Sequence, residues 1–168
     1  LKIYTELLQK TSDIAVKVQC FRVVYYSNWV DFNDMFNPTY FFKDEQVGEG
    51  LGERMKNAFE NSFEEGASKV VCIGSDCYDL STEIIEQAFN KLDDNDVVFG
   101  PAEDGGYYLI GMKTKISELF EDKEWGNSDV LLDSILVVKQ LNKQHNLLQT
   151  LNDVDEEKDL PEELRSLI

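Results

Sequence analysis

Three short segments combine glycine with carboxylate in a way that could do chemistry. Residues 97–111 read VVFGPAEDGGYYLIG. An apolar run ends in Gly-Pro, turns through Glu103-Asp104-Gly105-Gly106 and enters a second apolar run. The glycines alone would satisfy a hairpin, because they take positive φ without steric cost. The two adjacent carboxylates need a further reason, since they repel each other unless solvated or facing a cation. A backbone open to close approach beside Glu103 and Asp104 suits a metal-bound phosphate ligand. The second segment, residues 74–80 (GSDCYDL), follows the apolar run KVVCI. Asp76 would project from a strand tip, where a carboxylate can hold Mg²⁺ or Mn²⁺ and so neutralise a diphosphate. Equally, Asp76 and Asp79 can shape the turn or assist the next helix cap. The third segment is residues 46–55, QVGEGLGERM. Backbone N–H groups at a helix start and the guanidinium of Arg54 can both face an anion; alternatively Arg54 pairs with a nearby Glu. No Lys-Ser/Thr ending follows, so this is not a Walker-type phosphate loop.

The rest of the composition narrows the chemistry. The net charge of −17 over 168 residues argues against a nucleic-acid backbone or an anionic membrane as partner. Three cysteines (Cys20, Cys72 and Cys77) are too few and too irregular for a disulfide framework or a zinc site. Cys72 lies in an apolar run and reads as a small core residue. A single histidine, His145, excludes a multi-histidine metal site and disfavours a histidine-based triad. No apolar run is long enough to span a bilayer and no signal peptide is visible, so a reducing cytoplasm is expected.

The elements that must position these segments follow from periodicity. At 42% hydrophobic residues the chain can bury a core, and its length predicts one domain over 1–168. Helices are expected over 2–18, 51–65, 81–92 (capped by Ser81 or Thr82), near 115–121 and near 128–143. Strands are expected at 21–26, 69–73, 97–99, 107–112 and 147–151, with 27–50 irregular. Strands alternating with helices predict an α/β fold with a largely parallel sheet, whose ligands collect at the carboxyl ends of the strands. The chain opens inside an amphipathic helix, an unusual place for a domain to start.

In order along the chain, QVGEGLGERM, KVVCIGSDCYDLS, DVVFGPAEDGGYYLIGM, KEWGNSDVLLDSI and LNDVDEEKDL resemble the segments of bacterial glycosyltransferase-like proteins. These have the nucleotide-diphospho-sugar transferase (GT-A type) fold and are similar in layout to small nucleotidyltransferases of cofactor synthesis. The resemblance covers residues 1–160. It implies a Rossmann-like, mixed and mostly parallel sheet flanked by helices. It also implies a nucleotide-sugar or nucleoside-triphosphate substrate, a small-molecule acceptor and a divalent metal, Mg²⁺ or Mn²⁺. Asp76 matches the metal-binding aspartate of a Gly-x-Asp-x-Pro pattern. Asp104, with Gly105 and Gly106, matches the turn lining the second half of the cleft, where Asp104 would complete the metal shell or orient the acceptor. Asp153 and Asp155 match a late Asp-x-Asp, and Asp155 is a further expected metal ligand. The substrate-binding set implied is Gln46, Gly52, Arg54, Gly74, Ser75, Gly105, Gly106, Tyr107 and Trp125.

The chain departs from the pattern in three places. Tyr78 replaces the usual proline, which predicts a looser turn. Trp125-Gly126-Asn127-Ser128 replaces Trp-Ser-Thr. The pattern's first strand, with its basic phosphate-contacting loop, precedes the point where this chain begins. Three functions are therefore expected from different classes: glycosyl transfer from a nucleotide sugar, nucleotidyl transfer releasing pyrophosphate, and non-catalytic nucleotide binding.

Overall fold

The computed structural model describes residues 2–154 and 157–165. Helix α1 (Lys2–Ala15) leads to strand β1 (Val23–Tyr26), which pairs in parallel with β2 (Phe42–Glu45) as a two-stranded sheet. Helix α2 (Leu51–Glu64), β3 (Val70–Ile73) and α3 (Thr82–Lys91) follow. Strands β4 (Val97–Pro101) and β5 (Tyr107–Met112) form a hairpin. A 3-10 turn (Ser117–Phe120), helix α4 (Val130–Gln140), β6 (His145–Leu147), a second 3-10 turn (Glu157–Asp159) and α5 (Glu162–Arg165) complete the chain.

The larger sheet has the order β3-β5-β4-β6. β5 is antiparallel to both β3 and β4, and β6 is parallel to β4. Strands β3, β4 and β6 therefore run one way, and their carboxyl ends share one edge of the sheet. The two-residue alternation of strands builds the core on both faces. Val98 and Leu109 face α3, where Ile84, Ile85, Ala88 and Leu92 form the apolar stripe. Val97, Phe99, Ile110 and Met112 face the other way, onto Phe59 of α2, Val138 of α4 and the 116–120 segment. All five β4 residues are buried, and each large side chain so covered contributes about 1.5–3 kcal/mol. Ser81 caps α3 through its hydroxyl, which accepts from the Ile84 N–H.

Three expectations need correction. The stretch 27–50 contains β2, whose sequence FKDE has only Phe42 to favour a strand. The strand is held by its partner and by Lys43, whose side chain is 1% exposed and lies 2.6 Å from Asp34 Oδ1. The Tyr26 hydroxyl donates to Asp34 Oδ2 at 2.5 Å, tying β1 into the same network. The element near 115–121 is a 3-10 turn, because only four residues pack before the chain extends again at Glu121. The last strand lies at His145–Leu147, and beyond it Leu151 makes a single bridge to Ala102. The pattern's first strand has no counterpart among the described residues, where β3 pairs on one side only, with β5. Among the described residues no helix is long and apolar enough to cross a membrane.

Candidate functional site

Three loops leave the common strand edge: 74–81 after β3, 102–106 after β4 and 148–154 after β6. Tyr108 joins two of them. Its carbonyl accepts the Gly74 N–H at 3.0 Å and its hydroxyl donates to the Gln149 carbonyl at 2.9 Å. The ring lies so close over Gly100 that a Cβ there would stand 2.4 Å from Tyr108 Cζ, which is why β4 carries glycine at that point. Beyond β6 the chain is laced to the hairpin: Leu148 N–H to Phe99 O, Leu151 N–H to Pro101 O and Glu103 N–H to Leu151 O. It then docks on the first acidic loop, where the Val154 N–H donates to the Asp76 carbonyl at 2.9 Å.

Asp76 and Asp153 thereby become neighbours although 77 positions separate them. The Asp76 carboxylate lies over Gly74, since a Cβ on that glycine would meet Asp76 Oδ1 at 2.6 Å. Asp76 is exposed, whereas Asp153 is half-buried with its Oδ1 covered. Their field is felt by one buried thiol. Burial first, then Asp153, with smaller pushes from Asp79 and Asp76, raises Cys77 to about 12. Tyr108 is raised to about 12 by burial, then by Cys77 and Asp153.

The acidic hairpin is built differently. Asp104 Oδ1 accepts the Gly106 N–H at 2.8 Å, so this carboxylate is engaged in its own turn. Gly105 has φ +93° and a Cβ there would sit 2.0 Å from the Ser128 carbonyl oxygen. Its carbonyl accepts the Leu131 N–H from the start of α4 at 3.0 Å. Glycine at 105 is therefore required twice, by backbone conformation and by the close approach of the 128–131 segment.

A second group forms around the start of α2. Arg54 donates from Nε to the Gly48 carbonyl at 3.0 Å and from Nη1 to Gln46 Oε1 at 3.2 Å. Gln46 in turn holds the end of β1 through the Tyr25 and Tyr26 carbonyls. Through these contacts Arg54 braces the glycine loop. Gly52 is buried against Trp125, and a Cβ there would lie 2.7 Å from Trp125 Nε1. The Trp125 ring meets Tyr107 edge-on at 6.4 Å between centroids. Burial, with a smaller push from Cys72, raises the Tyr107 hydroxyl, and Ser134 opposes the shift. Lys123 supports this group from behind, donating to Ser134 Oγ at 2.5 Å and to the Val130 carbonyl at 3.2 Å. Burial lowers its pKa and Asp133 resists.

The residues expected from sequence gather in two groups: Gly74, Ser75 and Asp76 lie on the loop that meets the Asp153 segment, and Trp125 meets both Gly52 and Tyr107, with Gly105 and Gly106 in the hairpin whose strand carries Tyr107. Gln46 and Arg54 brace the loop that precedes α2. The Asp76 carbonyl accepts a bond from the Asp153 segment, whereas Asp104 is bonded within the hairpin. Asp155 lies outside the described residues. Sequence reasoning passed over Tyr108 and Lys123. Strict alternation would send Tyr108 to the Ile110 side; the register irregularity between Gly100 and Pro101 sends it instead to the Leu109 side and Tyr107 to the other, and nothing in the sequence marks that irregularity or Lys123. Among the described residues no group of three or more His, Cys, Asp or Glu is disposed to hold a metal. A two-carboxylate set still suits Mg²⁺, which is commonly held by one or two carboxylates with water and substrate phosphates filling the rest.

This architecture is shared with known proteins. The crystal structure of a "putative nucleotide-diphospho-sugar transferase" from Desulfovibrio desulfuricans G20 superposes with a TM-score of 0.86 at 28% identity, over 98% of this chain and 77% of that one. A 4-diphosphocytidyl-2C-methyl-D-erythritol synthase matches with a TM-score of 0.56 at 12% identity, over 93% of this chain and 84% of that one. HddC from Yersinia pseudotuberculosis matches with a TM-score of 0.53 at 16% identity, over 92% and 80%. The last two share the fold alone. No curated protein matches the sequence. The fold is thus that of the nucleotide-diphospho-sugar transferases, a mixed α/β sheet flanked by helices. Residues 13–127, most of the chain, match one family, and the protein belongs to it: "Uncharacterized protein conserved in bacteria (DUF2064)".

Proposed function

We propose that the protein is a glycosyltransferase that binds a nucleotide-sugar donor with Mg²⁺ or Mn²⁺ at the carboxyl edge of its larger sheet. The observation that carries this reading is the junction of the Asp76 and Asp153 loops through the Val154–Asp76 backbone bond, in a chain 28% identical to a structure described as a nucleotide-diphospho-sugar transferase. Asp76 and Asp153 would hold the ion. The ion, when bound, supplies positive charge to the diphosphate as it leaves. The Gly105–Gly106 hairpin and the Gly52–Trp125–Tyr107 group would line the donor side, where glycine lets a ligand approach the backbone closely. Arg54 would act there by holding the 46–48 loop in shape. No side chain of the two groups is an activated nucleophile: the nearest thiol, Cys77, is buried and raised to about 12. Direct displacement by the acceptor is the mechanism that follows.

Calorimetric titration of nucleoside diphosphates and nucleotide sugars with Mn²⁺ tests this. Binding that needs the metal and is lost in Asp76→Asn is expected. Equal affinity in wild type and Asp76→Asn would overturn the assignment. Pyrophosphate release from a nucleoside triphosphate, without sugar transfer, would replace the glycosyl reading with nucleotidyl transfer. Nucleotide binding with neither product would leave a binding module.

A further inference from the structure

The loop that carries Asp76 is anchored by a residue with no obvious chemistry. Tyr78, like Ile3 and Val154, packs against an apolar cluster formed by Leu7 of α1, by Leu160 and by Leu164 of α5, separate from the two sheet cores. Lys10 lies over its ring, 3.8 Å from the centroid. The C-terminal segment is thus fastened at two points on the same loop: Val154 through its N–H to the Asp76 carbonyl, and Leu160 and Leu164 through the cluster around Tyr78. Arg165 stiffens the segment by donating to the Leu160 carbonyl at 3.1 Å. On the inner side, the Leu80 N–H bonds the Cys77 carbonyl and Leu80 is 1% exposed, so the loop is pinned on both flanks of Tyr78.

A proline in this position restricts the loop through its own φ. Tyrosine has no such restriction, and the loop was expected to be looser for that reason. Packing supplies the restraint instead. We propose that Tyr78 is a positioning residue: it couples the spacing of the Asp76 and Asp153 carboxylates to the docking of the 157–165 segment on α1. The C-terminal segment is then a strap that holds the two carboxylates in register, and removing the ring loosens both together. The metal readout of this inference rests on the function proposed above; the coupling itself does not.

The test compares Tyr78→Ala with Tyr78→Phe, and with Leu164→Ala, which opens the same cluster from α5. Two measurements are made on each: Mn²⁺ affinity by electron paramagnetic resonance without nucleotide, and hydrogen exchange of the Val154 amide by NMR. Tyr78→Ala is expected to weaken Mn²⁺ at least tenfold and to speed Val154 exchange at least tenfold. Leu164→Ala should move both in the same direction by a smaller factor, and Tyr78→Phe should stay within twofold of wild type on both. Faster Val154 exchange in Tyr78→Ala with unchanged Mn²⁺ affinity would overturn the positioning role, as would Val154 exchange unchanged in both cluster variants. If wild type itself binds no Mn²⁺, the metal reading fails, and the exchange data alone decide whether Tyr78 couples the strap to the loop.

Discussion

Replacing Gly105 by alanine tests how the acidic hairpin is held. Three penalties follow from its geometry. The backbone sits at φ +93°, a left-handed conformation that costs an L residue about 1–2 kcal/mol. The new methyl would stand 2.0 Å from the Ser128 carbonyl oxygen, and forcing a group into packed space costs about 1–3 kcal/mol. Relief of that overlap separates the hairpin from α4 and loses the Leu131 N–H to Gly105 O bond, worth about 0.5–1.5 kcal/mol. The sum is about 2.5–6.5 kcal/mol, which lowers Tm by about 5–26 °C in a chain of this size. Gly126 supplies the control. Its φ is +86°, but nothing lies within 4 Å of its Cβ position. Gly126→Ala should show the conformational penalty alone, about 1–2 kcal/mol. Urea unfolding of the two variants measures the difference directly. If they lose the same stability within 0.5 kcal/mol (about the error of such comparisons), the contact with Ser128 is not what demands glycine at 105.

Other expectations follow from the same structure. Burial pulls the Asp34 carboxyl up, but Lys43, the Tyr26 hydroxyl and the Phe36 N–H together hold it below its ordinary value. A depressed carboxyl adds stability above the unfolded pKa of about 4 and loses it as pH falls through the folded value. The advantage of wild type over Asp34→Asn, about 3 kcal/mol at pH 7, should therefore shrink steadily below pH 4 in urea titrations; a constant difference down to pH 2 would contradict the pairing. Burial raises Cys72 to about 11 and Cys77 to about 12, and raises Cys20 less. Since the thiolate is the reactive form, a disulfide reagent at pH 8 should label the native protein slowly and all three cysteines promptly in urea; fast native labelling of Cys77 would be inconsistent with its site. Gly52→Ala places a methyl 2.6 Å from the Phe120 carbonyl oxygen and 2.7 Å from Trp125 Nε1. In a Trp29→Phe background it should shift Trp125 emission and cost about 1–3 kcal/mol; unchanged emission would show that α2 and Trp125 do not meet closely.

The order of elements was readable because most of them carry an unmixed pattern. Ile84, Ile85, Ala88 and Leu92 repeat at helical spacing behind a serine cap, and they form the stripe that packs on the sheet. The apolar runs at 97–101 and 107–112 became buried strands. The strand at Phe42–Glu45 was not readable. Its Lys, Asp and Glu carry no strand preference, and it exists because a distant partner strand and a buried Lys43–Asp34 pair hold it. Chain reversal between β4 and β5 was legible from the glycines, but the cause of each glycine was not. At 100 the demand comes from the ring of Tyr108, at 105 from Ser128, and at 52 from the Phe120 carbonyl and Trp125. Each of these is a tertiary neighbour that sequence spacing does not reveal.

At the candidate site, adjacency along the chain and adjacency in the fold differ. Glu103 and Asp104 draw attention because two acids stand side by side. Neighbouring side chains diverge, however, and Asp104 spends an oxygen on the Gly106 N–H two residues away. Asp76 and Asp153 have no such signature, yet parallel pairing of β6 with β4 carries the second acid to the loop that bears the first. Tyr108 makes that convergence possible, since one residue binds Gly74 on one side and Gln149 on the other. Its neighbour Tyr107 faces the opposite way, onto Phe99 and Trp125, across the register irregularity between β4 and β5. Two successive tyrosines on one strand thus organise two walls of one strand edge, the acidic wall and the indole wall. A function read from this edge depends on the pair of tyrosines as much as on any carboxylate. Loss of the Tyr108 hydroxyl alone, in Tyr108→Phe, should disturb the Asp153 loop while leaving Trp125 emission unchanged. Equal disturbance of both walls would mean that the strand, and not the individual side chain, carries the organisation.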